Sequence, residues 1–351
     1  MDIFDHILSS RKIMEDICKI TEEDLMYAYD KIDYWYKKNI KFLTIITVPF
    51  NTSCVFSDII GKIAQKNEKV LYVWGKNEQN KQLINKIREL NLSVTHSYIK
   101  KGLSDTDLTF IHYDNIEKME DRYDLVIFDD ITYFSNLSSI NVRDKLELCT
   151  NLGRRVLLYS IEKLALVGAK FELSAYNYKK PFVEPRILTT RIDLNVDIPY
   201  SLYDYLKWFK ENNHKVGIYV PTEEKVDIVS NYFANKLKLS EVKIIKISKS
   251  NQIKKCEGVS KDKNKAIFIV TNKIEELLEC CYIDDIVIMF SDNENYGYKK
   301  ILYTCGQIRN MKSDLPEVLL VANDISEEMD KAKNMAREFN KRVWEKRLRE
   351  L

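Results

Sequence analysis

Glycine is scarce in this chain of 351 residues: there are nine, and none precedes Gly61. A phosphate-binding loop of the form GxxxxGK[ST] needs glycines so that backbone N–H groups can approach the phosphates, and a lysine to reach the terminal ones. That form is therefore excluded ahead of Gly61. Long hydrophobic runs are missing too. No stretch of about 18 apolar residues occurs, so no transmembrane helix and no membrane insertion are expected. The first residues include Asp2 and Asp5, with no apolar core after a basic start, and no secretory signal is expected. Of the seven cysteines only Cys280 and Cys281 are close, and adjacent cysteines cannot form the CxxC half of a zinc site. We expect no bound metal, reduced thiols and a cytoplasmic location. A dominant charge is also absent, since 55 Lys and Arg face 53 Asp and Glu for a net +2. Any attraction for a polyanion must come from a local patch. Lys331 to Leu351 is one, with basic residues clearly in excess, although cations near a helix C-terminus also suit the helix dipole.

What is present describes a globular protein with an ordinary core: 45% hydrophobic and 31% charged residues, in a length sufficient for two domains. The most informative stretch is Tyr123 to Asp130. Leu125 to Phe128 are four apolar residues, too few for a helix and right for a strand buried on both faces. Asp129 and Asp130 stand at its exit, where ligands sit in open α/β sheets. The pattern is that of a Walker B acidic pair with Asp130 in place of the usual Glu; the alternative is an Asp-rich turn or helix cap.

Along the chain, residues 1–40 read as a helical extension, with Thr21-Glu22-Glu23-Asp24 opening a helix whose apolar side carries Leu25, Tyr29, Ile32 and Tyr36. A strand over Lys41 to Val48, the loop Pro49 to Cys54 and a helix over Val55 to Ala64 make the strand–loop–helix context of a phosphate-binding loop. Strands and helices then alternate to a strand over Arg155 to Tyr159. Pro181, Pro185 and Pro199 interrupt the rhythm, which restarts at Leu202 and ends in a long helix capped by Ser326. The expected architecture is α/β: two tandem doubly wound, mostly parallel sheets with helical N- and C-terminal extensions. The boundaries are a first domain over 41–180, a linker over 181–200, a second domain over 201–325 and a basic helix over 326–351.

Two such domains, with an acidic pair ending a strand of the first, resemble the paired RecA-like domains of superfamily 2 helicases. The order of the other landmarks resembles the ComFA-type competence helicases, the DNA translocases of natural transformation. Asp129 to Phe134 is similar to their acidic strand and aromatic turn. Tyr176 to Arg186 is similar to their Pro-containing basic segment, and Gly217 to Thr222 to their Pro-Thr turn. Ile267 to Glu275 resembles their strand–Thr–helix element, and Ile301 to Arg309 their Gly-Arg helix. The resemblance runs from about residue 40 to 345 and rests on collinearity. It implies ATP and Mg²⁺ at the loop after the first strand and single-stranded DNA across both domains.

The departures concern the ATP site. Thr52, Ser53 and Cys54 stand where the family has Gly, Lys and Thr. Ser53 cannot supply the charge, and Cys54 is a poor ligand for hard Mg²⁺. No glutamine precedes the loop, and the family's N-terminal zinc cysteines have no counterpart. Alignment on Gly306 puts Gln307 and Asn310 where arginine fingers belong, with Arg309 displaced by one. A finger is worth roughly 10³–10⁵ in rate; without glycines, Lys and fingers together, no hydrolysis is expected. Three hypotheses stay open. The favoured one is a helicase fold that no longer hydrolyses ATP, with no cofactor, kept as a DNA-binding or scaffolding subunit among competence or DNA-uptake proteins. The second is an active ATP- and Mg²⁺-dependent single-stranded DNA translocase, and the third a protein-interaction module. Candidate nucleic-acid contacts are Lys179, Lys180, Arg186 and Arg191, with Tyr176 and Tyr178 for stacking; the alternative is a solvated basic loop with packed tyrosines.

Overall fold

The computed structural model describes residues 20–164, 167–173, 181–237, 239, 241–250, 265–309 and 315–350. Tyr176, Tyr178, Lys179, Lys180 and Asn310 lie outside these, as does the first stretch of the helical extension. The described residues fall into two compact units, one up to residue 173 and one from residue 181 on.

In the first unit, helix α1 (Glu22–Lys37) opens at Thr21, whose Oγ1 accepts the Asp24 N–H at 3.1 Å. It buries Leu25, Ala28, Tyr29, Ile32, Trp35 and Tyr36, the stripe its 3.6-residue period places on one side. There follow β1 (Phe42–Ile46), α2 (Ser57–Ala64), β2 (Val70–Trp74), α3 (Lys81–Glu89), β3 (His96–Tyr98), β4 (Leu108–His112), β5 (Tyr123–Asp129), α4 (Ser139–Leu152), β6 (Gly153–Ser160) and β7 (Ala169–Glu172). The seven strands are ordered β3-β4-β2-β5-β6-β1-β7, every pair parallel. Helices cover both faces of such a sheet, which is why the strands read as unbroken apolar runs. Leu125, Val126, Ile127 and Phe128 are all fully buried, and each large apolar side chain so placed contributes about 1.5–3 kcal/mol.

The register sets Ile46 abreast of Ser160 and Glu172, and Asp129 abreast of Tyr159. The carboxyl ends of β1, β5 and β6 therefore meet at one edge of the sheet. Strand β7 enters beside β1 through Gly168 at φ +116°, where a Cβ would stand 2.5 Å from the Phe42 carbonyl oxygen. Only glycine fits there.

The second unit comprises β8 (Arg186–Thr189), α5 (Tyr200–Glu211), β9 (Lys215–Tyr219), α6 (Glu223–Asn235), β10 (Lys243–Ile247), β11 (Ile267–Thr271), α7 (Ile274–Cys280), β12 (Asp285–Met289), α8 (Tyr298–Arg309), β13 (Val318–Ala322) and α9 (Glu327–Glu350). Its sheet order is β10-β11-β9-β12-β13-β8, again all parallel. Ser326 caps α9 by accepting the Met329 N–H.

The stretch read as a linker supplies β8, an edge strand paired with β13. Half-buried Ile187 and Leu188 between exposed Arg186 and Thr189 carry little apolar signal. The segment before it is strapped to α9: Asn340 accepts the Phe182 N–H at 2.7 Å and donates to the Phe182 carbonyl at 2.9 Å, while Phe182 packs edge-on against Phe339. In the first unit the chain between β4 and β5 makes a 3-10 turn, Tyr113–Lys118.

Candidate functional site

The loop leaving β1 closes on itself. The Phe50 N–H donates to the Ile131 carbonyl at 2.9 Å, the Thr52 N–H to Asn51 Oδ1 at 2.8 Å, and the Cys54 N–H to Thr52 Oγ1 at 3.1 Å. Asn51 Nδ2 donates to Thr47 Oγ1 at 2.7 Å, and that hydroxyl donates to the Leu173 carbonyl at 2.8 Å. The buried Asn51 amide oxygen thus accepts a backbone N–H in the way a phosphate oxygen would. Phe50 holds φ +62° without being glycine and packs against Phe134; a left-handed conformation of this kind costs about 1–3 kcal/mol.

Past the loop the chain enters a 3-10 turn, Ser53–Phe56, and α2 begins only at Ser57. Helix α1 seals this start. The Tyr29 hydroxyl lies 2.6 Å from Ser57 Oγ and 3.3 Å from the Cys54 carbonyl. Ser53 is fully buried, its hydroxyl 3.4 Å from Gln82 Oε1, and burial raises the pKa of Cys54. Tyr159 of β6 donates to the Thr52 carbonyl at 3.1 Å and meets Phe56 edge-on.

Both acidic residues of β5 are fully buried. Asp129 Oδ1 accepts the N–H groups of Ile131 at 2.9 Å and Thr132 at 3.0 Å, and Oδ2 accepts the hydroxyls of Tyr72 and Thr132. Burial lifts the Asp129 carboxyl above its ordinary value against the pull of these four donors. Burial also keeps the Tyr72 phenol protonated and therefore a donor. The network extends through Asn80, whose Nδ2 lies 3.4 Å from the Tyr72 hydroxyl while its Oδ1 caps α3 at the Leu83 N–H. Asp130 accepts from Ser135, and its backbone N–H donates to the Tyr159 carbonyl at 3.0 Å. In the sequence Tyr29 stands only on the apolar side of its helix, and Tyr72 and Asn51 are not singled out.

In the second unit Gln307 is buried on α8, with Nε2 3.4 Å from the Leu278 carbonyl of α7. Arg309 ends that helix. The basic candidates are split. Arg186 begins β8, with Nε 2.9 Å from Glu317 and a guanidinium nitrogen 3.2 Å from the Tyr205 hydroxyl. Arg191 lies beyond the other end of β8, exposed and without an ion pair to any described residue. In a parallel sheet these are opposite edges, and only Arg191 is on the carboxyl edge. No group of three or more metal-ligating side chains occurs among the described residues, and no described helix is long and apolar enough to cross a membrane.

No family model matches the chain, and no curated protein matches it. Solved structures do. RecG bound to a three-way DNA junction is similar with a TM-score of 0.52 and 11% identity over 94% of this chain and 48% of RecG. The Escherichia coli DExH-box NTPase HrpB has a TM-score of 0.50 and 11% identity over 90% of this chain and 42% of HrpB. The DUF1998 helicase MrfA bound to DNA has a TM-score of 0.47 and 11% identity over 90% of this chain and 48% of MrfA. The chain spans less than half the length of each. The likeness to RecG and HrpB shows the fold alone: two RecA-like, parallel α/β sheets in tandem.

Proposed function

We propose that this helicase fold serves as a DNA-binding or scaffolding subunit that no longer hydrolyses ATP, related in descent to the competence translocases. The observation that carries the proposal is the state of the β1 loop and its acidic neighbour. Phe50, Thr52 and Cys54 spend their N–H groups on the chain's own oxygens, and Asp129 already accepts four hydrogen bonds. A triphosphate needs that row of N–H groups and a lysine, and Mg²⁺ needs free carboxylate oxygens. Thr52, Ser53 and Cys54 offer neither glycine freedom nor positive charge, so the residues present do not fit a magnesium-bound nucleotide. Tyr29 and Tyr72 fill with protein hydroxyls the positions around the loop and the acidic pair. Opening the loop to a nucleotide would break several buried hydrogen bonds, each about 0.5–1.5 kcal/mol net.

The DNA half of the proposal rests on the fold and on the basic segment around Lys179, Lys180 and Arg191, with competence or DNA-uptake proteins as partners. The ionic commitment of Arg186 to Glu317 favours the alternative of a protein-interaction module, because it withdraws one cation from a phosphate track. The test is ATP binding and turnover with and without single-stranded DNA, paired with DNA binding itself. No turnover with DNA binding retained supports the proposal; DNA-stimulated turnover overturns it. Absence of both leaves the interaction module.

A further inference from the structure

The amino edge of the second sheet carries a groove that belongs to none of the residues discussed for nucleotide. Helix α5 buries Leu202, Leu206 and Phe209 in the core. The helical period then places Ser201, Asp204, Tyr205 and Trp208 together on its other face. These four residues and Glu317, just before β13, line an open groove of about 480 Å³. Its walls are two aromatic rings and two carboxylates. Trp208 is 43% exposed and is held edge-on to His214 at 5.0 Å, while His214 lies 2.5 Å from the buried Asp285 carboxylate. Glu317 and Tyr205 are tied together by Arg186. Asp204 is exposed and makes no hydrogen bond or ion pair with any described residue.

We propose that this groove binds an arginine or lysine side chain presented by a peptide segment of a partner protein. The chemistry is that of a cation held between aromatic faces and a carboxylate. Arg186 shows that the groove's edge already holds one guanidinium, paired with Glu317 and donating to the Tyr205 hydroxyl. Asp204 and Trp208 offer a second cation a carboxylate and an exposed indole. The aromatic surface continues along α5 to Tyr200, 76% exposed and stacked on Tyr203 with ring centroids 6.3 Å apart. Residues flanking the cation in an extended peptide would find contact there. A phosphate backbone would meet the Asp204 carboxylate here, while Arg186 is already paired with Glu317, so the groove does not favour a DNA track. Because the strands are parallel, it lies on the edge opposite the carboxyl ends. It stands or falls independently of the proposed function.

The experiment is ¹⁹F NMR on the full chain labelled with 5-fluorotryptophan, which reports four tryptophans, with the Trp208 resonance assigned by Trp208→Phe. The titrants are a blocked pentapeptide with two arginines, the same peptide with neutral citrulline in their place, and a single-stranded oligonucleotide. The arginine peptide is expected to shift the Trp208 resonance saturably. Citrulline, or Asp204→Asn at this exposed position, should weaken the response by about tenfold or more. A Trp208 resonance that does not move, that moves equally with citrulline, or that moves with the oligonucleotide instead overturns the proposal.

Discussion

The Tyr72 hydroxyl donates to the Asp129 carboxylate inside the first sheet, joining the second strand in sequence to the exit of the fifth. The phenol engages Oδ2 of that carboxylate, which also accepts the Thr132 hydroxyl. Both Tyr72 and Asp129 are fully buried, so the pair also bears on stability. Tyr72→Phe leaves a buried carboxylate with one donor fewer, and we expect a loss of about 1–3 kcal/mol in urea unfolding with the slope unchanged.

A second expectation concerns pH. The hydrogen bond to Asp285 raises the pKa of His214 above its ordinary 6.5, against desolvation. Asp284, Lys215 and the rings of Trp208 and Phe209 also face it. A raised folded-state pKa means that this contribution is fully present below pH 6.5 and is lost as pH rises through the folded value. Burial raises Asp285 and Glu317 as well, but those carboxyls start from lower ordinary values. Stability followed by denaturation midpoint should therefore fall above pH 6.5 in the native chain, and Asp285→Asn should flatten that fall.

The strap on α9 makes a local prediction. Asn340 satisfies both backbone groups of Phe182. Asn340→Ala should speed hydrogen exchange at the Phe182 amide and expose the segment around it to protease, at a global cost of only about 1–2 kcal/mol. Unchanged exchange at Phe182 would show that Phe339 packing alone holds the segment.

The inner strands were legible where two-sided burial writes them as apolar runs, as at Leu125 to Phe128. The edge strands β7 and β8 were not, since only one neighbour and one half-covered face leave Ala169 to Glu172 and Arg186 to Thr189 without such a run. The missing glycines and lysine of the β1 loop were plain in sequence. What took their place was not: Asn51 turns its own amide on the loop, and Tyr29 and Tyr72 arrive from a helix and a strand distant in sequence. Partners of that kind are set by tertiary packing, for which a single sequence carries no period or spacing.

For DNA, binding should be independent of sequence and weaken as salt rises, because neutralised phosphates release counterions. Replacing Lys179 and Lys180 together should lower affinity for all sequences and flatten the salt slope by up to about two contacts. Tyr176→Ala should cost roughly 1–3 kcal/mol of binding if the ring stacks on a base and nearly nothing if it packs in the protein. Fluorescence anisotropy with labelled single-stranded DNA at low salt reads all three.

The most direct measurement is steady-state ATP turnover by the full chain, with and without single-stranded DNA, beside Asp130→Asn. With the N–H groups of the β1 loop engaged by Asn51, Thr52 and Ile131 and Asp129 accepting four hydrogen bonds, both proteins should show the same background, unmoved by DNA. A DNA-stimulated rate in the native chain that vanishes in Asp130→Asn would contradict this and restore a working translocase.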